Sequence, residues 1–413
     1  MLHAFRVSNF KSIRDFVEID LAPSGDPVSV AAVYGPNASG KSTIIDALQY
    51  VQRFVADSQA NGKPDDSTGR EPFLLNQHSR GEPSSFEIEF DVDGILHQFG
   101  FAVDNERVHQ EWLYRFNTAK RTILFERGID ERPWRFGPSL GGRNKVITDV
   151  TRRNALFLSA AAQLDHLTLT PVYRALAGTI LYAPYNPRGA EQILGMLMSE
   201  SERVQESIGN FLKSADTGVV AIHARKADDA GEFEKLFSSP AVNLDDSLPA
   251  ADALRFKLEF DHRGEGGTYS LPFNSESLGT RALAFFALWA TMALDMGRAL
   301  VIDELDRSLH PILASSLIDA FRDPSRNKSG AQLIFTTHDV SLLGTDVNQT
   351  ETLSRENVWL AEKDETGSTA LTPLRAFSPR KELNLERSYL AGRFGAIPLV
   401  NTSIGKARSQ VGE

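Results

Sequence analysis

The sequence predicts an α/β fold that combines a mixed central sheet with an antiparallel β subdomain and an inserted, mostly helical lobe. Three patterns support this fold class. Short, largely apolar runs at Val28–Tyr34, Ala299–Ile302 and Ala331–Thr336 are typical of strands that are buried on both faces of a parallel sheet. Residues 84–136 alternate between apolar and polar types, as half-buried antiparallel strands do. Residues 137–250 instead follow helical spacing.

The predicted elements divide the chain into four parts. Two strands, at Phe5–Phe10 and Phe16–Ile19, precede the buried strand and a helix over residues 41–56. Asp93-Gly94 is a hairpin turn signal within the antiparallel region. The parts are the N-terminal half of a main lobe (1–136), the helical insertion (137–250), the C-terminal half of the main lobe (251–375) and a tail (376–413).

The C-terminal half of the main lobe alternates helices with strands. A helix over Arg281–Met296, with Gly297 as its stop, precedes the run Ala299–Ile302. A second helix over Pro311–Arg322 precedes the next buried strand. Segments 357–362 and 370–374 are expected to form a final hairpin.

Length and composition limit the possible architectures and sites. The 413 residues suggest two or three domains, or one large domain with an insertion. The net charge of −10 argues against a surface covered with basic residues for non-specific nucleic-acid binding. The absence of cysteine excludes disulfides, thiolate zinc sites and cysteine nucleophiles. The longest uncharged apolar run, Ala282–Leu294, is too short to cross a bilayer, and no signal peptide is visible, so we expect a cytoplasmic protein without a membrane partner.

Residues 35–42 predict a phosphate-binding loop, the Walker A motif. They match Gly-x4-Gly-Lys-Ser/Thr and lie between a predicted strand and a predicted helix. Glycines let successive N–H groups point at a phosphate, and the helix adds its positive N-terminal end. Lys41 is expected to reach the β and γ phosphates, and the Ser42 hydroxyl to bind Mg²⁺. The predicted phosphate-binding residues are Gly35, Pro36, Asn37, Ala38, Ser39, Gly40, Lys41 and Ser42.

Three later segments fit the same chemistry. The strand Ala299–Ile302 ends in Asp303, which suits a Mg²⁺ ligand, and Glu304, which suits a general base. His338 follows the next buried strand and suits a sensor of the γ-phosphate. Residues 276–281 precede a long buried helix and offer hydroxyls and free N–H groups to an anion, although a simple helix cap would look the same.

The order of these segments resembles the heads of ABC-type ATPases. Residues 5–13, Phe-Arg-Val-Ser-Asn-Phe-Lys-Ser-Ile, resemble the first strand of the RecF and SMC branch. Segments 303–311 and 336–339 resemble the stand-alone bacterial ABC-type AAA ATPases. That group includes the ATPase part of OLD-family nucleases and the ATPase subunits of phage-defence and abortive-infection systems. The tail segment 386–398 also resembles tails of this group, and the resemblance covers roughly residues 1–56 and 270–400.

The resemblance implies roles for individual residues, with ATP and Mg²⁺ as cofactors. Thr43 joins the triphosphate-binding residues, and Lys41, Glu304 and His338 are the catalytic residues. The signature that touches the γ-phosphate on the opposite protomer corresponds to Ser277, Gly279 and Thr280. Its form is Ser-Leu-Gly-Thr rather than the transporter form Ser-Gly-Gly-Gln, which leaves the role of Thr280 open. Segment 308–311 matches a loop that crosses the dimer interface, and Gln77 is a candidate for the Q-loop.

The function implied by the resemblance is a Mg²⁺-dependent ATPase that dimerises around ATP. As a homodimer or higher oligomer it would control a separate effector, a nuclease or toxin encoded nearby, in bacterial antiviral defence. The alternative is a RecF-like DNA-repair ATPase that binds DNA directly, for which Lys120-Arg121 and Arg152-Arg153 are the nearest basic clusters. A fused nuclease is disfavoured, because only 75 residues follow His338 and they contain no Asp-x-Asp pair.

Overall fold

The computed structural model describes residues 1–117, 120–129, 132–183, 190–215, 217–226, 256–307, 309–345, 351–378 and 383–397. The described strands form three sheets, of six, seven and three strands. None of the helices within these ranges is long and apolar enough to cross a membrane.

The six-stranded sheet is the centre of the molecule. Its strand order is β16-β15-β3-β14-β13-β9. All neighbours are parallel except the β15–β16 hairpin, so the predicted mixed central sheet is confirmed. Every residue of β3, β13 and β14 is buried, as expected for strands with largely apolar sequences. The strands are β3 (Val30–Tyr34), β9 (Ile180–Tyr182), β13 (Ala299–Ile302), β14 (Gln332–Thr337), β15 (Val358–Lys363) and β16 (Thr369–Pro373).

The seven-stranded sheet is antiparallel throughout, as predicted for the β subdomain. Its order is β2-β1-β4-β5-β6-β7-β8, so the two N-terminal strands belong to it as well. The predicted hairpin turn has positive φ at both Asp93 and Gly94, as a type I′ turn requires. The strands are β1 (Leu2–Ser8), β2 (Val17–Asp20), β4 (Ser84–Val92), β5 (Ile95–Val103), β6 (Val108–Phe116), β7 (Arg121–Ile129) and β8 (Arg132–Phe136).

Helices cover both faces of the central sheet. Along β3, Ala31 and Val33 enter one hydrophobic core, while Val30, Ala32 and Tyr34 enter the other. The first core lies between the central sheet and the seven-stranded sheet. The helices are α1 (Lys41–Asp57), α2 (Gln77–Gly81), α3 (Asn144–Val150), α4 (Phe157–Gln163), α5 (Leu169–Gly178), α6 (Ala190–Glu200), α7 (Glu202–Ser214), α8 (Leu278–Met296), α9 (Pro311–Arg322) and α10 (Leu385–Leu390).

The helices of the predicted lobe 137–250 are divided between the two hydrophobic cores. Helices α3–α5 pack in the first core, whereas α6 and α7 pack in the second. Strand β9 adds to the central sheet. The three-stranded sheet joins this region to the following one, because it consists of β10 (Val219–Lys226), β11 (Phe256–Gly264) and β12 (Gly267–Pro272). Residues 227–255 lie outside the described ranges, and the four domain boundaries stay predictions.

Candidate nucleotide-binding site

Three loops leave the same edge of the central sheet and form the candidate site. Tyr34 pairs with Thr337 at the carboxyl ends of β3 and β14, and Ile302 pairs with Phe335 one strand further along. The loop after β3 begins with Gly35, the turn after β13 with Asp303, and the segment after β14 with His338. Ligands of open α/β sheets bind outside the carboxyl ends of strands, where these loops meet.

The loop after β3 has a backbone that requires its glycines. Gly40 is the N-cap of α1 with φ 100°, in the left-handed region. A Cβ atom there would clash with the Thr369 hydroxyl, and one on Gly35 would clash with the carbonyl oxygen of Ala361. Asn37, Ala38 and Ser42 are exposed, while the Ser39 hydroxyl is buried and has no hydrogen-bond partner within the described residues.

Lys41 lies at the centre of this loop. Its Nζ donates hydrogen bonds to the carbonyl oxygens of Gly35 (2.9 Å) and Pro36 (3.1 Å). Burial lowers the pKa of the Lys41 ammonium, and the nearby carboxylates of Asp303, Glu304 and Asp306 oppose that shift. The loop lysine is thus close enough to the acids after β13 for their charges to act on its pKa.

A group of hydroxyls braces the loop from behind. Ser12 Oγ shares hydrogen bonds with Thr43 Oγ1 (2.9 Å) and Thr369 Oγ1 (2.8 Å). Thr369 Oγ1 also donates to the carbonyl oxygen of Ser39 at 2.9 Å. The buried Thr43 hydroxyl, which was assigned to triphosphate binding, is engaged in this brace. The brace was missed because Thr369 lies 330 residues from Ser39 and no local pattern links them.

The acids after β13 are fixed by Thr336 in the neighbouring strand. This fully buried side chain donates from Oγ1 to Asp303 Oδ1 at 2.5 Å. The same oxygen accepts a hydrogen bond from the backbone N–H of Glu304 at 2.7 Å. Glu304 has φ 52°, an uncommon value for a residue with a side chain, and such values are concentrated at functional sites. Arg307 contacts the Glu304 carboxylate at 3.2 Å.

The segment after β14 is tied to both neighbouring loops. The backbone N–H of His338 donates to Asp306 Oδ1 at 3.1 Å. On the other side, the Tyr34 hydroxyl donates to the carbonyl oxygen of Asp339 at 3.0 Å. The half-buried His338 thus lies between the loop after β3 and the turn after β13.

The remaining predicted residues are not joined to this group. Ser277 is the N-cap of α8: its Oγ accepts from Thr280 N at 3.1 Å and shares a hydrogen bond with Thr280 Oγ1 at 2.9 Å. Within the described residues, no hydrogen bond or ion pair links segment 277–280 to the loop 35–43 or to Asp303 and Glu304. Gly279 is exposed, as is Gln77 at the start of α2. Ser308 lies outside the described residues.

The site fits a nucleoside triphosphate with Mg²⁺. The loop combines a lysine, the positive N-terminal end of α1 and a buried Ser39 hydroxyl that has no hydrogen-bond partner within the described residues. The exposed Ser42 hydroxyl and the partly exposed Asp303 carboxylate are oxygen ligands of the kind that Mg²⁺ prefers alongside phosphates.

Comparison with known proteins identifies one family. The model described as "AAA domain, putative AbiEii toxin, Type IV TA system" matches residues 30–344. No curated protein sequence matches. Similar solved structures include the SMC head domain from Thermotoga maritima, with 17% identity over 90% of this chain and 98% of that one and a TM-score of 0.42.

Another similar structure is the Smc head domain with an extended coiled coil bound to the C-terminal domain of ScpA, derived from Pyrococcus furiosus. It has 12% identity over 90% and 95% of the two chains and a TM-score of 0.44. The Smc head domain with a coiled coil and joint from Pyrococcus yayanosii has 11% identity over 94% and 99%, also with a TM-score of 0.44. Since these TM-scores lie below 0.5, family membership rests on the sequence match.

Proposed function

Because the chain belongs to this AAA-domain family and has a phosphate-loop sequence between a buried strand and a helix, we propose that it is a Mg²⁺-dependent ATPase of the ABC type that acts as a switch. The observation that carries the proposal is the convergence of Lys41, Asp303, Glu304 and His338 at one edge of the central sheet. A phosphate cradle alone would support nucleotide binding. The addition of a fixed acid pair and a histidine supports hydrolysis.

Each side chain has a defined task in this mechanism. The loop N–H groups and Lys41 Nζ would bind the β and γ phosphates. Ser42 and Asp303 would hold Mg²⁺, which would supply positive charge next to the phosphates. Glu304 accepts a proton from the attacking water. His338 donates a hydrogen bond to the γ-phosphate and loses that partner after hydrolysis. Thr336 keeps Asp303 and Glu304 in place by bonding both.

A second copy of the chain is proposed to complete the site. Segment 277–280 is largely exposed, and Leu278 has 63% of its surface accessible. The hydroxyls of Ser277 and Thr280 and the free N–H groups at the start of α8 suit a phosphate supplied by another molecule. ATP would then bridge two protomers, and its hydrolysis would release them.

The proposed role is control of an effector, a nuclease or toxin, in phage defence. Direct DNA binding is the alternative. Of the residues in the two basic clusters, Arg121 stacks on Tyr114 at 4.4 Å, and Arg152 donates to the carbonyl oxygens of Ser58 and Gln59.

One experiment tests the activity and the dimer together. Native mass and phosphate release are measured for the wild type, Lys41→Ala and Glu304→Gln, each with and without ATP and Mg²⁺. We expect a wild-type dimer that forms only with ATP and decays as ATP is consumed. Glu304→Gln should give a persistent ATP-bound dimer, and Lys41→Ala should stay monomeric. Equal hydrolysis by the wild type and Glu304→Gln would refute the assignment of the base.

A further inference from the structure

The C-terminal segment 384–397 has no task in the proposed mechanism, although its sequence stands out. In the structure it packs into the second core rather than over the surface. Leu385, Tyr389, Phe394 and Ala396 are each at most 6% exposed. Its helix α10 lies against the turn 340–343, which directly follows the segment that carries His338. The tail is therefore built against the back of the candidate site.

Tyr34 connects two of the three loops of the site, those after β3 and β14. It is the last residue of β3, directly before Gly35, and its side chain is fully buried. Its hydroxyl donates to the carbonyl oxygen of Asp339, the residue after His338. Burial raises the pKa of Tyr34 well above its ordinary value, so the hydroxyl stays protonated and remains a donor. A single side chain thus bonds the start of the phosphate loop to the switch segment.

Tyr389 of the tail holds Tyr34 in turn. The two rings meet edge to face, with centroids 5.8 Å apart and an interplanar angle of 66°. Tyr389 is itself fixed by a hydrogen bond from its hydroxyl to the carbonyl oxygen of Ala396, at 2.6 Å. The N–H of Ala396 donates to the Glu362 carboxylate on β15, next to β3 in the central sheet. The tail is therefore fixed on both sides of Tyr389, by the ring contact with Tyr34 and by the hydrogen bonds of Ala396.

We propose that Tyr34 and Tyr389 are positioning residues for ATP hydrolysis, and that the tail acts on the site through them. Tyr389 sets the orientation of the Tyr34 ring. The Tyr34 hydroxyl in turn holds segment 338–339 in the position from which His338 contacts the γ-phosphate. This inference rests on the proposed function. The position of His338 then depends on the tail segment 384–397, which does not contact the nucleotide.

The test is Tyr34→Phe, which keeps the ring and removes only the hydroxyl. Because the lost hydrogen bond orients His338 without contacting ATP, kcat should fall about threefold to tenfold while KM for ATP stays within about twofold. Tyr50→Phe is the matched control, since it also loses a bond from a buried tyrosine hydroxyl to a carbonyl oxygen, that of Thr68 at 3.1 Å, in the other core. It should leave kcat unchanged.

A double-mutant cycle with His338→Ala separates positioning from general stability. If Tyr34 acts through His338, adding Tyr34→Phe to His338→Ala causes no further loss of kcat. A further loss equal to that of the single variant would overturn the inference, as would a Tyr34→Phe enzyme with wild-type kcat. The proposed function is judged separately in the same assay, by the effects of Glu304→Gln and His338→Ala alone.

Tyr389→Leu extends the test to the tail. It removes the ring that packs on Tyr34 and keeps an apolar side chain in the core, so kcat should fall to the level of Tyr34→Phe with KM again preserved. Thermal unfolding and circular dichroism establish that each variant is folded. A folded Tyr389→Leu variant with unchanged kcat would overturn the role of the tail.

Discussion

Thr336→Val is the sharpest perturbation of the acid pair, because it replaces one buried hydroxyl by a methyl group of similar size. The hydroxyl makes two hydrogen bonds, to the Asp303 carboxylate at 2.5 Å and from the N–H of Glu304 at 2.7 Å. A hydrogen bond to a charged group contributes about 1.5–3 kcal/mol. If that amount is lost only from the transition state, kcat falls roughly tenfold to a hundredfold.

The assay is steady-state ATP hydrolysis as a function of Mg²⁺ concentration. Thr336→Val should lower kcat and raise the Mg²⁺ concentration needed for half-maximal rate, because Asp303 is no longer held in place. Thr336→Ser keeps the hydroxyl, so its kcat should stay within about threefold of the wild-type value. The remaining loss would come from the small cavity left by the missing methyl group. The reasoning is refuted if the valine variant is folded and shows the wild-type rate and Mg²⁺ dependence.

Three further predictions concern the loop, the signature and a buried acid. Gly40→Ala should abolish ATP binding, measured by calorimetry, because its Cβ would clash with the Thr369 hydroxyl; the control Gly94→Ala, at a turn with open space, should bind normally. Mixing Lys41→Ala chains with Ser277→Arg chains should restore hydrolysis at up to half of the sites, because a mixed dimer has one site that carries neither change. A mixture that stays inactive would contradict the shared site. Burial raises the pKa of Glu111 to about 7, so its carboxyl favours folding below its ordinary pKa and loses that contribution as pH rises towards 7. In urea unfolding between pH 4.5 and pH 7.5, the free energy of unfolding of the wild type should therefore fall by up to about 3 kcal/mol relative to that of Glu111→Gln. Parallel pH profiles of the two proteins would contradict this expectation.

Much of the fold follows from local pattern. The buried strands that carry Tyr34, Ile302 and Thr337 are largely apolar, so they can be predicted without any knowledge of their neighbours. The part of the seven-stranded sheet within residues 84–136 was predicted from its period of two and the Asp93-Gly94 turn, whereas the membership of β1 and β2 was not. Strand β9 was missed because it has only three residues, too few for a periodic signal.

The contacts that hold the site in shape could not be read from the sequence. The motifs give Lys41, Asp303 and Glu304, since each lies within a short run with a fixed spacing. Thr369 and Tyr389 hold their partners only through tertiary structure, across more than three hundred residues of chain. The proposed signature at Ser277 illustrates the same limit, because a helix cap and a phosphate-binding helix end have the same local sequence requirements.

The hydroxyl brace has a consequence for biosynthesis. Gly35–Ser42 emerges early from the ribosome, but the carbonyl of Ser39 is bonded to Thr369, a residue translated near the end of the described chain. Strand β3 likewise has β14 and β15 as its neighbours, and both are made late. During most of its synthesis the nascent chain carries a phosphate loop without its sheet partners or its brace. The loop therefore gains its sheet partners and its brace only after these later segments have been translated.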